Sequence, residues 1–377
     1  MNHPVPQIAR TARIRKSPYY EATIKHGIKV LSVYNHMYMP SVYHDLMTDY
    51  ENLTKRVTLW DVAVERQVEI KGPDAARFTQ YLTCRDISQC SVGQCMYVPI
   101  IDDQGGVLND PIMLKLAEDH FWLSLADYDI LLWGKGLNVH LGLDVALCEP
   151  DVSPLAVQGP KSRELMVDLF GDWINDLKFF WFREATLNGI PMVIARSGWS
   201  KQGGYELYLQ DGSRGVELWE TIFEAGKKYN IAPGAPHGIE RIESSLLDFG
   251  HDVLPDMNPW EAGLDQYVHL DMAADFVGKE ALKKIAAEGV KRRLMGITLE
   301  GDPLPVNDQN WPVHGYTMDE ARVTSFTWSP RYQQNIGMAL LPVAVATPGS
   351  QVTVDTPLGP VTATVVTMPF TESLGQG

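Results

Sequence analysis

Hydrophobic and polar positions begin to alternate clearly at Arg66. Val68 and Ile70 interleave with Gln67, Glu69 and Lys71, the two-residue period of a half-buried strand. Gly72-Pro73-Asp74 then opens a helix whose Ala75, Phe78, Tyr81 and Leu82 share one face. Further strands are expected over residues 96–101, 107–116 and 121–125. The first two are joined by a turn at Asp102-Asp103-Gln104-Gly105-Gly106, where glycine accepts positive φ. This is an antiparallel meander with one inserted helix.

A second block repeats that order. Residues 155–158 read as a strand, and Gly159-Pro160-Lys161-Ser162 opens a helix running through Leu169. Residues 192–195 and 206–209 are strands, and helical periodicity returns over 216–229 and 239–249. The Gly-Pro before each first helix (Gly72-Pro73, Gly159-Pro160) suggests two related α+β units. After Gly289 the texture changes to short strand-like runs punctuated by Gly and Pro, over 294–299, 323–328, 336–340, 351–354 and 361–366. That is a small all-β domain. The division is therefore 1–288 and 289–377, with 371–377 frayed. Residues 1–30 read as a solvated, at first irregular arm, where Arg10, Arg13, Arg15, Lys16, Lys25 and Lys29 face only Glu21.

The chain has 377 residues, enough for two or three domains, with 45% hydrophobic and 21% charged residues. A net charge of −15 argues against a nucleic-acid partner, which needs a basic face. Without an apolar leader or a run near the roughly 18 apolar residues of a membrane span, a cytoplasmic protein is expected, with no membrane partner. Cys84, Cys90, Cys95 and Cys148 lack zinc or redox spacing and are expected to be reduced, buried thiols. No dinucleotide fingerprint, P-loop, H-E-x-x-H or nucleophile elbow occurs. His36 and His44, eight apart, could share a helical face, but packing or surface roles fit them better than metal ligation.

Three polar clusters remain. Asp110 follows the glycine turn Gly105-Gly106 and sits at a strand mouth, although capping the turn is its plainer role. Glu206 and Tyr208, two apart on one strand, share a face beyond the glycine-rich stretch 197–204. An inward Glu206 needs N–H donors, which a nitrogen-rich bicyclic ligand could supply; an edge-strand glutamate in solvent is the alternative. Arg241, early in a helix, could fork onto a ligand carboxylate or onto Glu206. Most of the tryptophans must be core. A few rings beside these clusters could box an onium cation, at about 0.5–2 kcal/mol per ring face.

These residues carry a family resemblance. The chain resembles the folate-dependent aminomethyltransferases, the glycine cleavage T-protein family, from about Leu59 to Leu341. The resemblance is carried by Leu59-Trp60-Asp61-Val62, Gly105-Gly106-Val107-Leu108-Asn109-Asp110, Ala195-Arg196-Ser197-Gly198-Trp199, Gly204-Tyr205-Glu206 and Pro259-Trp260-Glu261-Ala262-Gly263-Leu264. It continues through Val323-Thr324-Ser325, Ser329-Pro330 and Ile336-Gly337-Met338-Ala339. Within that family it is similar to the dimethylsulfoniopropionate demethylases at Ile14-Arg15-Lys16-Ser17-Pro18-Tyr19, Val33-Tyr34-Asn35-His36-Met37 and residues 60–75 and 197–206. T-proteins usually read D-V-S-H where this chain has Asp61-Val62-Ala63-Val64, and two aspartates where it has Asn109-Asp110. Both departures favour methyl over aminomethyl transfer.

The resemblance implies an α+β fold with two related units around a central funnel and a C-terminal β-barrel as cover. It implies tetrahydrofolate in the funnel as methyl acceptor and a small sulfonium substrate as donor. Glu206 would meet pterin N–H groups, Tyr97 and Arg241 would belong to the folate pocket, and Asp110 would sit near the reactive N5 and favour its developing charge. Trp199 and Tyr208, with Tyr34 a weaker candidate, would box the sulfonium, and Lys16 or Arg15 could hold its carboxylate. Relatives suggest a homodimer. Other donors (glycine betaine, dimethylglycine), aminomethyl transfer and folate binding without turnover stand as alternatives.

Overall fold

The structure, a computed structural model, describes residues 11–375. Two sheets and a barrel carry the chain. The first sheet has five antiparallel strands in the order Ala146–Cys148, Gln67–Lys71, His120–Ser124, Ile112–Ala117, Cys95–Tyr97. The helices Ala75–Leu82 and Ile130–Leu141 cover it, burying Phe78, Leu82 and Ile130 against Val68, Ile70, Met113 and Leu123. The second sheet has six strands: Phe182–Leu187, Ile190–Ala195, Gly204–Leu209, Ser153–Gln158, Thr58–Asp61 and Ala232–Gly234, with only the last pairing parallel. Leu165 and Met166 of helix Ser162–Phe170 and Leu218, Trp219 and Ile222 of helix Gly215–Gly226 seal one of its faces. Between the sheets Leu114 and Trp122 meet Val193, Ala195 and Tyr208.

The repeated Gly-Pro serves one purpose in both units. Gly72 (φ +140°) and Gly159 (φ +118°) leave their strands so close to another segment that a Cβ would lie 2.5 Å from the Asp144 carbonyl oxygen and 2.6 Å from that of Arg56. Only glycine has both the conformation and the room. The units are interleaved, because Thr58–Asp61 precedes the first unit in sequence yet belongs to the second sheet.

Residues 292–366 form a six-stranded antiparallel barrel, in the order Trp311–Pro312, Arg322–Ser329, Gln334–Pro342, Arg292–Leu299, Gly359–Val366, Gln351–Thr356. A bridge from Val313 to Val354 nearly closes it around Ile297, Val323, Phe326 and Val365. Leu294, Met338 and Leu340 on its outer side pack against Ile101, Val107, Phe249 and Val253 of the preceding part.

Several expected elements differ. The strand expected over 96–101 breaks after Tyr97, because Pro99 has no N–H for the ladder. The one over 107–116 breaks at Asp110-Pro111 for the same reason. The helix over 239–249 stops at Glu243, and Ser245 turns the chain back with φ 54°. The N-terminal arm is built in where it is described: Tyr20–Lys25 is helical, Tyr19 is fully buried near Trp219, and Arg15 pairs with Glu149. Residues 1–10, with Arg10, lie outside the described residues, as do 376 and 377. Of the tail expected to fray, Phe370–Ser373 forms a helical turn anchored by buried Phe370. His36 lies in the hairpin turn between Val30–Tyr34 and Met37–Val42, and His44 is bound to Asp49, so no helical face joins them. Cys84, Cys90 and Cys95 are buried, but Cys148 is exposed, its sulfur 3.5 Å from Glu69.

Candidate active site

A cavity of about 1500 Å³ opens between the two sheets, the segment 246–251 and the barrel. Tyr34, Tyr97, Asp110, Trp199, Glu206 and Arg241 all line it. These residues come from six separate stretches of chain, and the fold gathers them.

Asp110 owes its position to Pro111. Where the ladder breaks, Asn109 is buried and donates to the carbonyls of Ala126 and Asp127 at 3.2 and 2.6 Å, pinning the backbone. The next side chain, Asp110, is turned to the cavity, where Oδ2 accepts a 2.9 Å hydrogen bond from the Tyr97 hydroxyl. It caps no turn; Asp102 does that work, accepting from the N–H groups of Gln104 and Gly106. Burial pushes the Asp110 carboxyl up to about 7, against the lowering effect of the Tyr97 bond and with help from the charge of Asp248.

Glu206 is an inward glutamate, 5% exposed. Ser197 and Tyr208 both donate to its Oε2, the latter at 3.3 Å, leaving Oε1 without a partner among the described residues. Burial raises its pKa, opposed by those two hydrogen bonds. Gln158 fills the space below Gly198 and Gly204, and a Cβ on either glycine would collide with its amide at 2.0–2.2 Å. The glycine-rich loop is thereby drawn down onto the sheet, and Trp199 stands at the cavity wall.

Arg241 does not reach Glu206. Its guanidinium donates to Asp252 Oδ2 at 2.7 Å and Ser325 Oγ at 2.6 Å, and its charge lies 5.9 Å from the Trp199 ring centre. Asp252, with no exposure, also accepts from Thr324 and Ser325 of the barrel, at 2.6 Å each. This network ties the cavity wall to the barrel. Tyr208 is fully buried behind Glu206 and does not line the cavity. Lys16 does not line it either; its ammonium lies 2.7 Å from Glu21 and 4.5 Å from the Tyr20 ring centre. Arg15 is likewise outside it.

Sequence reasoning missed Glu65. It lies in the turn between strands Thr58–Asp61 and Gln67–Lys71, where the chain crosses between sheets, and it lines the cavity. Burial raises its pKa well above the usual carboxylate range, reinforced by the charges of Glu206 and Asp110. The available signal was a carboxylate directly after the apolar run Val62-Ala63-Val64. The site thus brings Glu65, Asp110 and Glu206, with the half-buried Asp127 and Asp248, beside aromatic rings, an arrangement suited to a ligand bearing N–H donors and to positive charge. Among the described residues no group of His, Cys, Asp and Glu could hold a metal ion, and no helix is long and apolar enough to cross a membrane.

Sequence and fold match a known class. Residues 19–272 match the GCVT N-terminal domain, and residues 292–372 match the glycine cleavage T-protein C-terminal barrel domain. The chain belongs to the glycine cleavage T-protein family, whose members are tetrahydrofolate-using methyl and aminomethyl transferases. Among its relatives, dimethylsulfoniopropionate demethylase DmdA from Ruegeria pomeroyi is 41% identical over 92% of this chain and 94% of its own. An aminomethyltransferase from Alkaliphilus metalliredigens is 31% identical over 90% and 92%. The crystal structure of the glycine cleavage aminomethyltransferase T from Bartonella henselae superposes with a TM-score of 0.82, covering 96% of this chain and 99% of that one at 22% identity, which speaks for the fold alone.

Proposed function

We propose that this protein transfers a methyl group from the sulfonium of dimethylsulfoniopropionate to N5 of tetrahydrofolate, giving 5-methyltetrahydrofolate and 3-(methylthio)propanoate. The observation that carries this reading is the 41% identity to the Ruegeria demethylase over nearly both whole chains, joined to a carboxylate-lined cavity. Ala63 and Val64, where T-proteins usually have Ser-His, weigh against aminomethyl transfer.

The residues present fit a reduced pterin. Glu206 Oε1 is uncommitted at the cavity wall, where a pterin N–H would satisfy it. When bound, tetrahydrofolate would supply the nucleophilic nitrogen, whose proton must be taken up as the bond to carbon forms. The Asp110 oxygen not held by Tyr97 stabilises the positive charge developing there and accepts that proton, a role for which a carboxyl near 7 is suited. Tyr97 holds Asp110 in one orientation. Trp199 and Tyr34 offer ring faces to the cationic donor, and the barrel, fastened through Asp252, keeps water from the cavity. On this reading residues 1–288 bind both ligands and 289–377 are the cover. A cytoplasmic location and a homodimer belong to the same proposal.

An anaerobic assay with tetrahydrofolate and a panel of donors, read by mass spectrometry, tests it. Dimethylsulfoniopropionate should yield both products. Methyl transfer from glycine betaine or dimethylglycine alone would overturn the choice of donor.

A further inference from the structure

Of the carboxylates lining the cavity, Asp127 accepts from backbone N–H groups and Asp248 and Asp265 lie beside cationic side chains, while Asp110, Glu206 and Glu65 differ in how well the protein satisfies them. Asp110 has the Tyr97 hydroxyl, and Glu206 has those of Ser197 and Tyr208. Glu65 receives one long bond, 3.2 Å from Ser124 Oγ to Oε2, and Oε1 has no partner among the described residues. Among the described residues no cation pairs with it. Its neighbour in sequence, Arg66, turns away to Glu149 and Asp129. The cations lining the cavity are engaged elsewhere: Arg241 with Asp252, Arg293 with Asp265 at 2.8 Å, His251 with Asp248 at 2.9 Å. Lys201 stands exposed on its loop.

Glu65 is nonetheless held firmly. Asp61 accepts from the Ala63 N–H, the Glu65 N–H donates to the Val62 carbonyl at 2.9 Å, and Asn35 Nδ2 donates to the Val64 carbonyl at 3.0 Å. The last bond sets the hairpin residue before Asn35, Tyr34, beside the turn. Burial first, then the charges of Asp248, Asp110 and Glu65, hold the Tyr34 hydroxyl well above its usual pKa. A rigid, under-satisfied carboxylate next to an aromatic ring, facing a cavity, is a poor arrangement for stability and a good one for a fixed positive charge.

We infer that Glu65, with Tyr34 beside it, is the counter-charge for the permanently cationic head of the methyl donor and sets the preference for an onium over an uncharged group of the same shape. This rests on the proposed methyl transfer and names the group that recognises the donor. A cation that cannot donate a hydrogen bond gives hydroxyl or amide partners little to grip, whereas its charge favours the ionised form of Glu65, and that negative charge is the selective contact. Glu65 is a specificity residue; the bond-making atoms are met by others.

The test is equilibrium binding to the full chain with 5-methyltetrahydrofolate present, so that no methyl moves. Two pairs are compared: dimethylsulfoniopropionate with its uncharged isostere 4-methylpentanoate, and glycine betaine with 3,3-dimethylbutanoate. The wild type should favour the cation of at least one pair by about tenfold or more. Glu65→Gln should erase that preference while affinity for 5-methyltetrahydrofolate stays within about twofold. Glu65→Asp, which keeps the charge, should retain part of the preference, whereas a purely structural role would make both variants lose cation and isostere alike. A preference shown only for glycine betaine and lost in Glu65→Gln would sink the sulfonium reading yet uphold the role of Glu65. A wild type without cation preference, or a Glu65→Gln variant that keeps it, overturns the inference.

Discussion

The Tyr97 hydroxyl donates to Asp110 Oδ2 across 2.9 Å, between two strands that each break at a proline beside the cavity. Pro99 and Pro111 remove ladder hydrogen bonds, so the strand ends just after Tyr97 and is interrupted at Asp110, and the two side chains meet at the cavity. A carboxyl pushed up to about 7 by burial is held there in a fixed orientation.

Asp110→Asn should lower turnover by about 10²-fold or more, because the variant can neither neutralise developing charge nor accept a proton. Folate affinity should change little. In the wild type kcat/KM should rise with pH through about 7 as Asp110 ionises, and Asp110→Asn should lack that limb. Steady-state rates across pH 5.5–8.5 in the two proteins check this.

The same carboxyl has a stability signature of opposite direction. Its folded pKa, about 7, lies above the unfolded value of 3.8, so the folded state binds the proton more tightly. That contribution is complete below about pH 4 and is lost as pH rises through 7. Asp61, buried and pushed up to about 6, acts in the same sense. Asp110→Asn should therefore gain on the wild type by about 2–3 kcal/mol between pH 5 and pH 8.5, read by urea denaturation at both pH values.

Glu206→Gln keeps the shape but removes the charge that would meet a pterin N–H. Folate should bind about 10- to 100-fold more weakly, measured by quenching of tryptophan fluorescence. Unchanged affinity would take Glu206 out of the folate pocket.

Asp252 is fully buried and binds Arg241, Thr324 and Ser325 together. Asp252→Ala leaves the guanidinium without its counter-charge in a dry interface, which should cost about 3–5 kcal/mol. Asp252→Asn should cost less. Denaturation midpoints give both values, and a near-neutral Asp252→Ala would mean that the barrel is fastened by its apolar contacts alone.

Gly159→Ala places a methyl group 2.6 Å from the Arg56 carbonyl at φ +118°. The loss should exceed about 2 kcal/mol in chemical denaturation. Gly142→Ala, at a helix end with φ +62° and open space around it, should cost about 1 kcal/mol.

Much of this was written in local patterns. Alternation at residues 67–71 and the Gly-Pro before each helix fixed two α+β units, because a strand's period and a glycine-only turn are properties of neighbouring residues. The β texture after Gly289 marked the barrel for the same reason. Asp110 and Glu206 stood out because a carboxylate beside a glycine turn or in an apolar strand is locally anomalous. What the local pattern left undecided depended on distant partners. One of the partners of Arg241, Ser325, lies on a barrel strand 84 residues away, so its fork onto Asp252 and Ser325 was invisible. Tyr208 and Glu206 do share a face, yet only the packing of one sheet on the other buries the first and leaves the second at the cavity wall. Glu65 sat in a turn without any motif; its place at the funnel, and its lack of a cation among the described residues, come from where Arg66, Asn35 and the second sheet happen to lie. The period of the chain therefore determined the elements and their anomalies, while burial and charge compensation, which sum over the whole packed molecule, decided which anomalies became the site.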